Sequence, residues 1–297
     1  MVTGKDVPFA PGDVTVTSYS NAYDGVAHGI TVASEIEGIG YKYAYGSLGT
    51  TSPTSEWSNV APTLTDVGAM SVWVEISAPG YITQTNSATI TITPRNVTLT
   101  SGSDSKVYDG TALVKHDVSV GGDGFAAGEG ATYSYTGSQT TVGSSGNAFT
   151  YTLNDGTKAG NYSIATVNGT LTVTKAIAGG GSGGGATDEP GGGEVPTGGE
   201  SKFDVTVMYD GEGHTIDTNA LVAAFGTAMI GDFSCMYAQA QGQAPAMPWG
   251  AEAPVYTNVG EYVVWYKVTN PNYEDFTHAA KVMVTNRPVM VTSADGS

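Results

Sequence analysis

Short runs in which every second residue is apolar set the reading of this chain. In Ala88-Thr89-Ile90-Thr91-Ile92-Thr93 and Gly169-Thr170-Leu171-Thr172-Val173-Thr174, Ile, Leu and Val alternate with Thr, which sends the apolar set to one face of a pleated strand. Each run predicts a half-buried antiparallel strand. Further β-branched and aromatic runs lie at 13–18, 41–45, 70–77, 149–153, 203–208 and 262–268, punctuated by Gly, Asn-Gly and Pro signals. About six short strands in each stretch of roughly eighty residues is the pattern of an all-β protein of small Ig-like antiparallel β-sandwich modules; β-grasp-like modules of similar length would alternate in much the same way. One helix is expected, capped by Thr218 or Asn219 and running through Phe225.

The runs recur in register. Three triplets, Tyr23-Asp24-Gly25, Tyr108-Asp109-Gly110 and Tyr209-Asp210-Gly211, open three segments. The first and third segments agree at one constant offset: Trp57 with Trp249, Ala61-Pro62 with Ala253-Pro254, Val67-Gly68 with Val259-Gly260, Trp73 with Trp265, Tyr81 with Tyr273, and Arg95 with Arg287. The middle segment keeps its triplet, a Val142-Gly143 pair and Tyr162, but has no Trp. Repetition of this kind predicts tandem units rather than one large core. The boundaries expected are an N-terminal extension at 1–12, modules at 13–94, 95–176 and 201–286, a Gly-rich linker at 177–200, and at 287–297 the start of a further repeat, which makes the chain a fragment of something longer. Pro94 should stiffen the first joint. The linker, with Gly179-Gly180-Gly181-Ser182-Gly183-Gly184-Gly185 at its head, has too little apolar content to pack and should act as a tether.

Charge narrows the partners. There are 28 Asp and Glu against 11 Lys and Arg, a net charge of −17, which disfavours nucleic acid and anionic membrane, since both need clustered bases. The longest apolar run, residues 220–225, is far too short to span a bilayer. No signal-peptide pattern opens the sequence, so any export signal or anchor is expected outside it. The single Cys235 has no partner for an internal disulfide and reads as a small buried apolar residue.

Candidate chemistry is sparse. His28, His116, His214 and His278 accompany no nucleophile elbow, and His28 and His214 each fall five residues after their triplet's Tyr, which suits a strand-surface position better than a catalytic base. Glu35 with Glu37, and Glu252 with Glu261, are acids that a glycoside hydrolase could pair, but they read as solvated side chains. Asp-Gly turns such as Asp109-Gly110 lack the carboxylate density of a calcium loop, so each triplet reads as a tight turn whose Tyr packs on the module edge. An isopeptide cross-link would need a buried Lys, and Lys267 aligns with Glu75. No catalytic residue, metal ligand or cofactor is therefore expected. Trp73 and Trp265 sit mid-strand and should be core, whereas Trp57 and Trp249 lie in Pro-rich loops and are the candidate ligand-contacting residues, because sugar rings stack on flat aromatic faces.

The triplets, together with Asn161-Tyr162-Ser163-Ile164 and the run Val167-Asn168-Gly169-Thr170-Leu171-Thr172-Val173-Thr174-Lys175, resemble the tandem YDG/MBG-type β modules of bacterial cell-surface proteins and adhesins. The resemblance implies an extracellular place on a bacterial surface and a stalk or adhesion role without catalytic residues. The expected function is thus a non-enzymatic spacer segment. The alternative is an adhesion module whose Trp57 and Trp249 loops bind host or dietary glycans, mucin or a surface protein. A monomer is expected.

Overall fold

The structure is a computed structural model that describes residues 6–178, 201–241 and 244–289. In the first repeat the strands are β1 (Val14–Thr17), β2 (Tyr19–Ala22), β3 (Thr31–Ser34), β4 (Gly40–Ser47), β5 (Gly68–Ser77) and β6 (Gln84–Thr93). They form a β1-β3 pair and a four-stranded sheet ordered β2-β6-β5-β4. The second repeat holds β7 (Arg95–Ser101), β8 (Asp104–Val107), β9 (Val118–Gly122), β10 (Ala131–Tyr135), β11 (Gly143–Gly146), β12 (Phe149–Leu153), β13 (Tyr162–Val167) and β14 (Thr170–Thr174). Their sheets are β13-β7-β9, β11-β14-β8 and the pair β10-β12. The third repeat adds β15 (Val205–Met208), α1 (Thr218–Ala228), β16 (Ser234–Gln241), β17 (Ala244–Pro245), β18 (Gly260–Thr269) and β19 (Phe276–Thr285), with the sheet order β15-β19-β18-β16-β17.

Among the described residues the fold is all-β with several small sheets and one short α-helix, and the alternation seen in the sequence is the alternation of burial. In β6, Ala88, Ile90 and Ile92 are buried while Thr93 is exposed; in β14, Leu171 and Val173 are buried between exposed Thr170 and Thr174. Trp73 and Trp265 are both core residues. The sheets are mixed rather than purely antiparallel. In each repeat an early strand lies parallel to the closing strand: β2 against β6, β8 against β14, β15 against β19. Parallel neighbours need a long crossover, and here the body of the repeat supplies it, a relation that no local run of residues reveals.

By compactness the chain divides into two units. One comprises residues 1–103, 115–137 and 146–169; the other comprises 104–114, 138–145 and 170–297. A repeat boundary is therefore not a unit boundary. In the first unit, Tyr23 and Ile92 of the first repeat share a buried cluster with Val97, Leu99, Ala126 and Tyr162 of the second. In the other unit, Ala176 and Ala178 are buried in the core of the third repeat with Phe203, Phe225, Tyr266 and Phe276. The expected tether overlaps residues 179–200, which lie outside the described residues. On its near side the chain does not hang free: Ala176 donates to the Asn272 carbonyl at 3.0 Å and accepts from the Glu274 amide at 2.8 Å.

Helix α1 begins one residue earlier than the sequence suggests. Asp217 is the cap, accepting from the Ala220 amide at 2.9 Å, and the helix runs past Gly226 to Ala228. Leu221 and Phe225 are its buried residues, and Phe225 meets Phe276 of the sheet at a centroid distance of 5.1 Å. That tertiary contact outweighs the low helix propensity of Gly226.

Candidate functional site: a recurring joint around the Tyr-Asp-Gly turn

Each triplet is a tight turn built the same way. The Gly takes positive φ, +88° at Gly25, +79° at Gly110 and +87° at Gly211, which costs a residue without Cβ little. The Asp folds back on its own backbone: Asp24, Asp109 and Asp210 accept from the amides of Val26, Thr111 and Glu212 at 3.1, 2.9 and 2.9 Å. The Tyr amide closes the turn onto the last strand of its repeat, Tyr23 to Thr93, Tyr108 to Thr174 and Tyr209 to Thr285, all at 2.9 Å. A basic side chain faces each carboxylate. His28 Nε2 lies 2.9 Å from both oxygens of Asp24 and His214 Nε2 lies 2.8 Å from Asp210. Leu113 bridges Gln139 in the place where His28 bridges Leu64 and His214 bridges Tyr256, and there Lys106 is the partner of the carboxylate, 2.6 Å from Asp109. Hydrogen bonds from His28 and then the Val26 amide hold Asp24 below the usual carboxylate range; Lys106 does this for Asp109, and the Glu212 amide followed by His214 does it for Asp210. The two repeat-matched histidines are thus turn braces.

The Tyr does more than pack on the edge of its own module. Within the first unit, Tyr23 is 5 % exposed and meets Tyr162 edge-on, with centroids 5.6 Å apart at 81°. The Tyr162 hydroxyl accepts from the Ala126 amide at 3.0 Å and donates to Glu129 at 2.8 Å, while the Tyr23 hydroxyl donates to the other oxygen of Glu129. The Glu129 carboxylate holds the Tyr23 phenol in its protonated form, pushing its pKa up to about 12; burial raises that of Tyr162. Arg95 clamps the turn, donating through Nη1 to the Tyr23 carbonyl at 3.2 Å and through Nε to the Gly124 carbonyl at 2.7 Å. Beside it, Asn161 is 2 % exposed; its Oδ1 accepts from the Val67 amide and its Nδ2 donates to Asp66, both at 2.9 Å.

The second unit repeats the arrangement with different residues. Tyr108 meets Tyr273 edge-on, again at 5.6 Å and 81°. The Tyr273 hydroxyl accepts from the Ile230 amide at 3.0 Å, as Tyr162 does from Ala126. Asn272 Oδ1 accepts from the Val142 amide at 3.0 Å, as Asn161 does from Val67. Ala176 bridges Tyr273 in parallel, as Arg95 pairs with Tyr162. The turn glycines come close to the same partner position: a Cβ on Gly25 would lie 3.4 Å from the Ala126 Cβ, and one on Gly110 would lie 2.8 Å from the Ile230 Cδ1.

Residues 93–169 match the YDG domain family. The YDG match spans most of the second repeat and includes both its own triplet and the Asn161-Tyr162 pair that receives Tyr23. It does not extend to the first and third repeats, whose likeness rests on their shared residues. Comparison with curated proteins found no match. Among solved structures, three cadherin domains of Drosophila N-cadherin match with 7 % identity over 92 % of this chain and 99 % of theirs, at a TM-score of 0.27. Mouse cadherin-23 domains 22–24 match with 11 % identity over 96 % and 100 %, also at 0.27. TM-scores this low mark no shared arrangement, and nothing about the chain follows from them.

The loop aromatics part company. Trp57 precedes Ser58, which bridges Tyr43, and Trp249 precedes Gly250, which bridges Tyr237, so both loops are pinned alike. Trp57 is 38 % exposed, whereas Trp249 is half-buried against Ala238, Trp265 and Ala279. The remaining candidates are dispersed. Glu35, Glu37, Glu252 and Glu261 are all exposed, and Glu261 pairs with Lys281 at 3.0 Å. Lys267 pairs with Asp275 at 2.8 Å, and at the aligned position Glu75 pairs with Lys42 at 3.3 Å. His116 stacks on Tyr135, and His278 Nδ1 lies 2.9 Å from the Ala279 carbonyl. Cys235 is half-buried, and burial pushes its thiol pKa up. Among the described residues no three His, Cys, Asp or Glu converge as metal ligands, and no helix is long and apolar enough to cross a membrane. Glu129, Asn161, Asn272 and Ile230 are the joint residues that sequence reasoning missed. The signal available was an Asn directly before the Tyr in two repeats.

Proposed function

We propose that this chain is a non-enzymatic, load-bearing spacer segment of a bacterial cell-surface protein or adhesin, placed outside the cell. The observation that supports it is the pairing of an early strand with the closing strand in every repeat, four residues long and parallel each time: Tyr19–Ala22 with 90–93, 104–107 with 171–174, and Val205–Met208 with 282–285. Drawing the ends of such a repeat apart slides two parallel strands along each other, so the bonds of the ladder must yield together. An antiparallel pair peeled from its open end loses them one by one. Single-molecule pulling tests this. In a Cys235→Ser background, the chain held by its two ends should unfold at clearly higher force than a chain held through Val14→Cys and Ser34→Cys, whose antiparallel strands peel. Equal forces in the two geometries would refute load bearing.

A second reading, glycan or mucin binding, is favoured by one observation, the exposure of the Trp57 indole beside an otherwise pinned loop. Tryptophan fluorescence titrated with mucin oligosaccharides tests it: saturable quenching lost in Trp57→Ala supports this reading, and an unchanged spectrum refutes it.

A further inference from the structure

In both units the Tyr-Asp-Gly turn of one repeat is roofed by the next. The roof consists of an Asn-Tyr pair whose Asn accepts a Val amide and whose Tyr stands edge-on to the turn Tyr. The third repeat carries the same floor with, among the described residues, no Asn-Tyr pair over it. Tyr209 is 43 % exposed and Val259, the match of Val67 and Val142, is 45 % exposed. A Cβ on Gly211 would meet nothing within 4 Å, whereas Gly25 and Gly110 lie against Ala126 and Ile230. The chain leaves this floor in the required register. Thr93 accepts from Tyr23 and Arg95, two residues on, pairs with the incoming Tyr162; Thr174 accepts from Tyr108 and Ala176, two residues on, bridges Tyr273. Thr285 accepts from Tyr209, and two residues on stands Arg287, which is exposed.

We propose that the face formed by Tyr209, Gly211 and Val259 is a docking surface for one more module of this kind, joined after Arg287, whose Asn-Tyr pair caps Val259 and Tyr209. The inference stands on the joint geometry whether or not the repeats bear load. A second copy of this chain is the wrong occupant, because its Asn161-Tyr162 and Asn272-Tyr273 pairs are already engaged and its first repeat carries Gly80-Tyr81 in that place. There Tyr81 is stacked on Phe9 at 4.6 Å, and Gly80 has no side-chain amide to offer. Apolar area is supplied on the floor side by Tyr209 and Val259, and specificity comes from the one amide-to-Asn bond that both existing joints make. Arg287, like Arg95, would clamp the turn carbonyls.

The test compares the full chain with a version in which residues 177–287 are repeated once more after Arg287, so that the added repeat follows the floor as the third repeat follows Ala176. Amide hydrogen exchange is read at Tyr209 and Val259. In the extended chain the Val259 amide should exchange about five- to tenfold more slowly, the factor one net intramolecular hydrogen bond supplies, and Asn272→Ala in the added copy alone should restore fast exchange. Exchange at Val259 and Tyr209 that is equal in the two chains would overturn the proposal. So would failure of the added repeat to protect its own strand amides, since the floor is meant to offer it what Tyr108 and Val142 offer the third repeat. As a further check in the unextended chain, Asn272→Ala, which leaves the Val142 N–H without its acceptor, should speed exchange at Val142 by about five- to a hundredfold; no change there would remove the bond on which the inference rests.

Discussion

Replacing Asn161 by Ala should loosen the first joint without disturbing the sheets on either side. Asn161 is buried and belongs to the short turn before β13, where its amide satisfies two groups of the first repeat at once: the Val67 N–H at Oδ1 and the Asp66 carboxylate at Nδ2, each at 2.9 Å. Truncation removes both bonds. A typical neutral hydrogen bond contributes about 1 kcal/mol net, and a half-buried N–H left without a partner costs about 1–3 kcal/mol. The bond to Asp66 adds little, because that carboxylate is exposed and keeps Lys158 at 2.6 Å. The cost of the orphaned N–H already contains the loss of the bond, so truncation costs about 1–3 kcal/mol. Amide exchange at Val67 should accelerate by a factor of about five to a hundred, while Val72 and Val74, in the centre of β5, should not change. Asn161→Asp keeps the acceptor but sets a second carboxylate beside Asp66, so it should fall between the wild type and Asn161→Ala at low pH and approach Asn161→Ala at neutral pH. If Val67 exchanges at the wild-type rate in Asn161→Ala, the Asn-to-amide bond does not hold the joint, and the recurring geometry at Asn272 loses its meaning as well.

Three further outcomes follow from the same contacts. The Tyr23 phenol, pushed up to about 12 by Glu129, has a folded pKa above its unfolded value near 10, so its contribution is whole below pH 10 and fades as pH rises toward 12; it is at most about 3 kcal/mol. Denaturant midpoints taken at rising alkaline pH should drop more steeply for the wild type than for Tyr23→Phe, and parallel curves would contradict this. Gly110→Ala should cost more than Gly211→Ala by calorimetry: both pay about 1–2 kcal/mol for positive φ, but only the first drives a methyl to within 2.8 Å of Ile230, an overpacking penalty of about 1 kcal/mol because that side chain can yield. Gly226→Ala in α1 should stabilise the third repeat by about 0.5–1 kcal/mol, since the added methyl would sit at an ordinary 3.8 Å from Phe233; a lower melting temperature would show that Gly226 is kept for its backbone.

Strand periodicity, the three turns and the core tryptophans are local properties, and the sequence states them directly. Alternation of Thr with Ile or Leu fixes which face of β6 and β14 is buried, because side chains of a strand point alternately to opposite sides. Asp and Gly specify the turn, because an Asp can bond its own backbone two residues on and a Gly accepts positive φ. What the turn Tyr touches is not local. Tyr23 and Tyr162 are far apart in the chain, as are Tyr108 and Tyr273, and they meet only because parallel strand pairing places the exit of one repeat beside the Asn-Tyr of the next. The same holds for Trp249, whose packing against Ala238, Trp265 and Ala279 is a tertiary contact that its Pro-rich loop does not announce. Residue type and spacing determined the elements of this protein; which elements share a core was decided by long-range burial, the one term that a one-dimensional pattern does not contain.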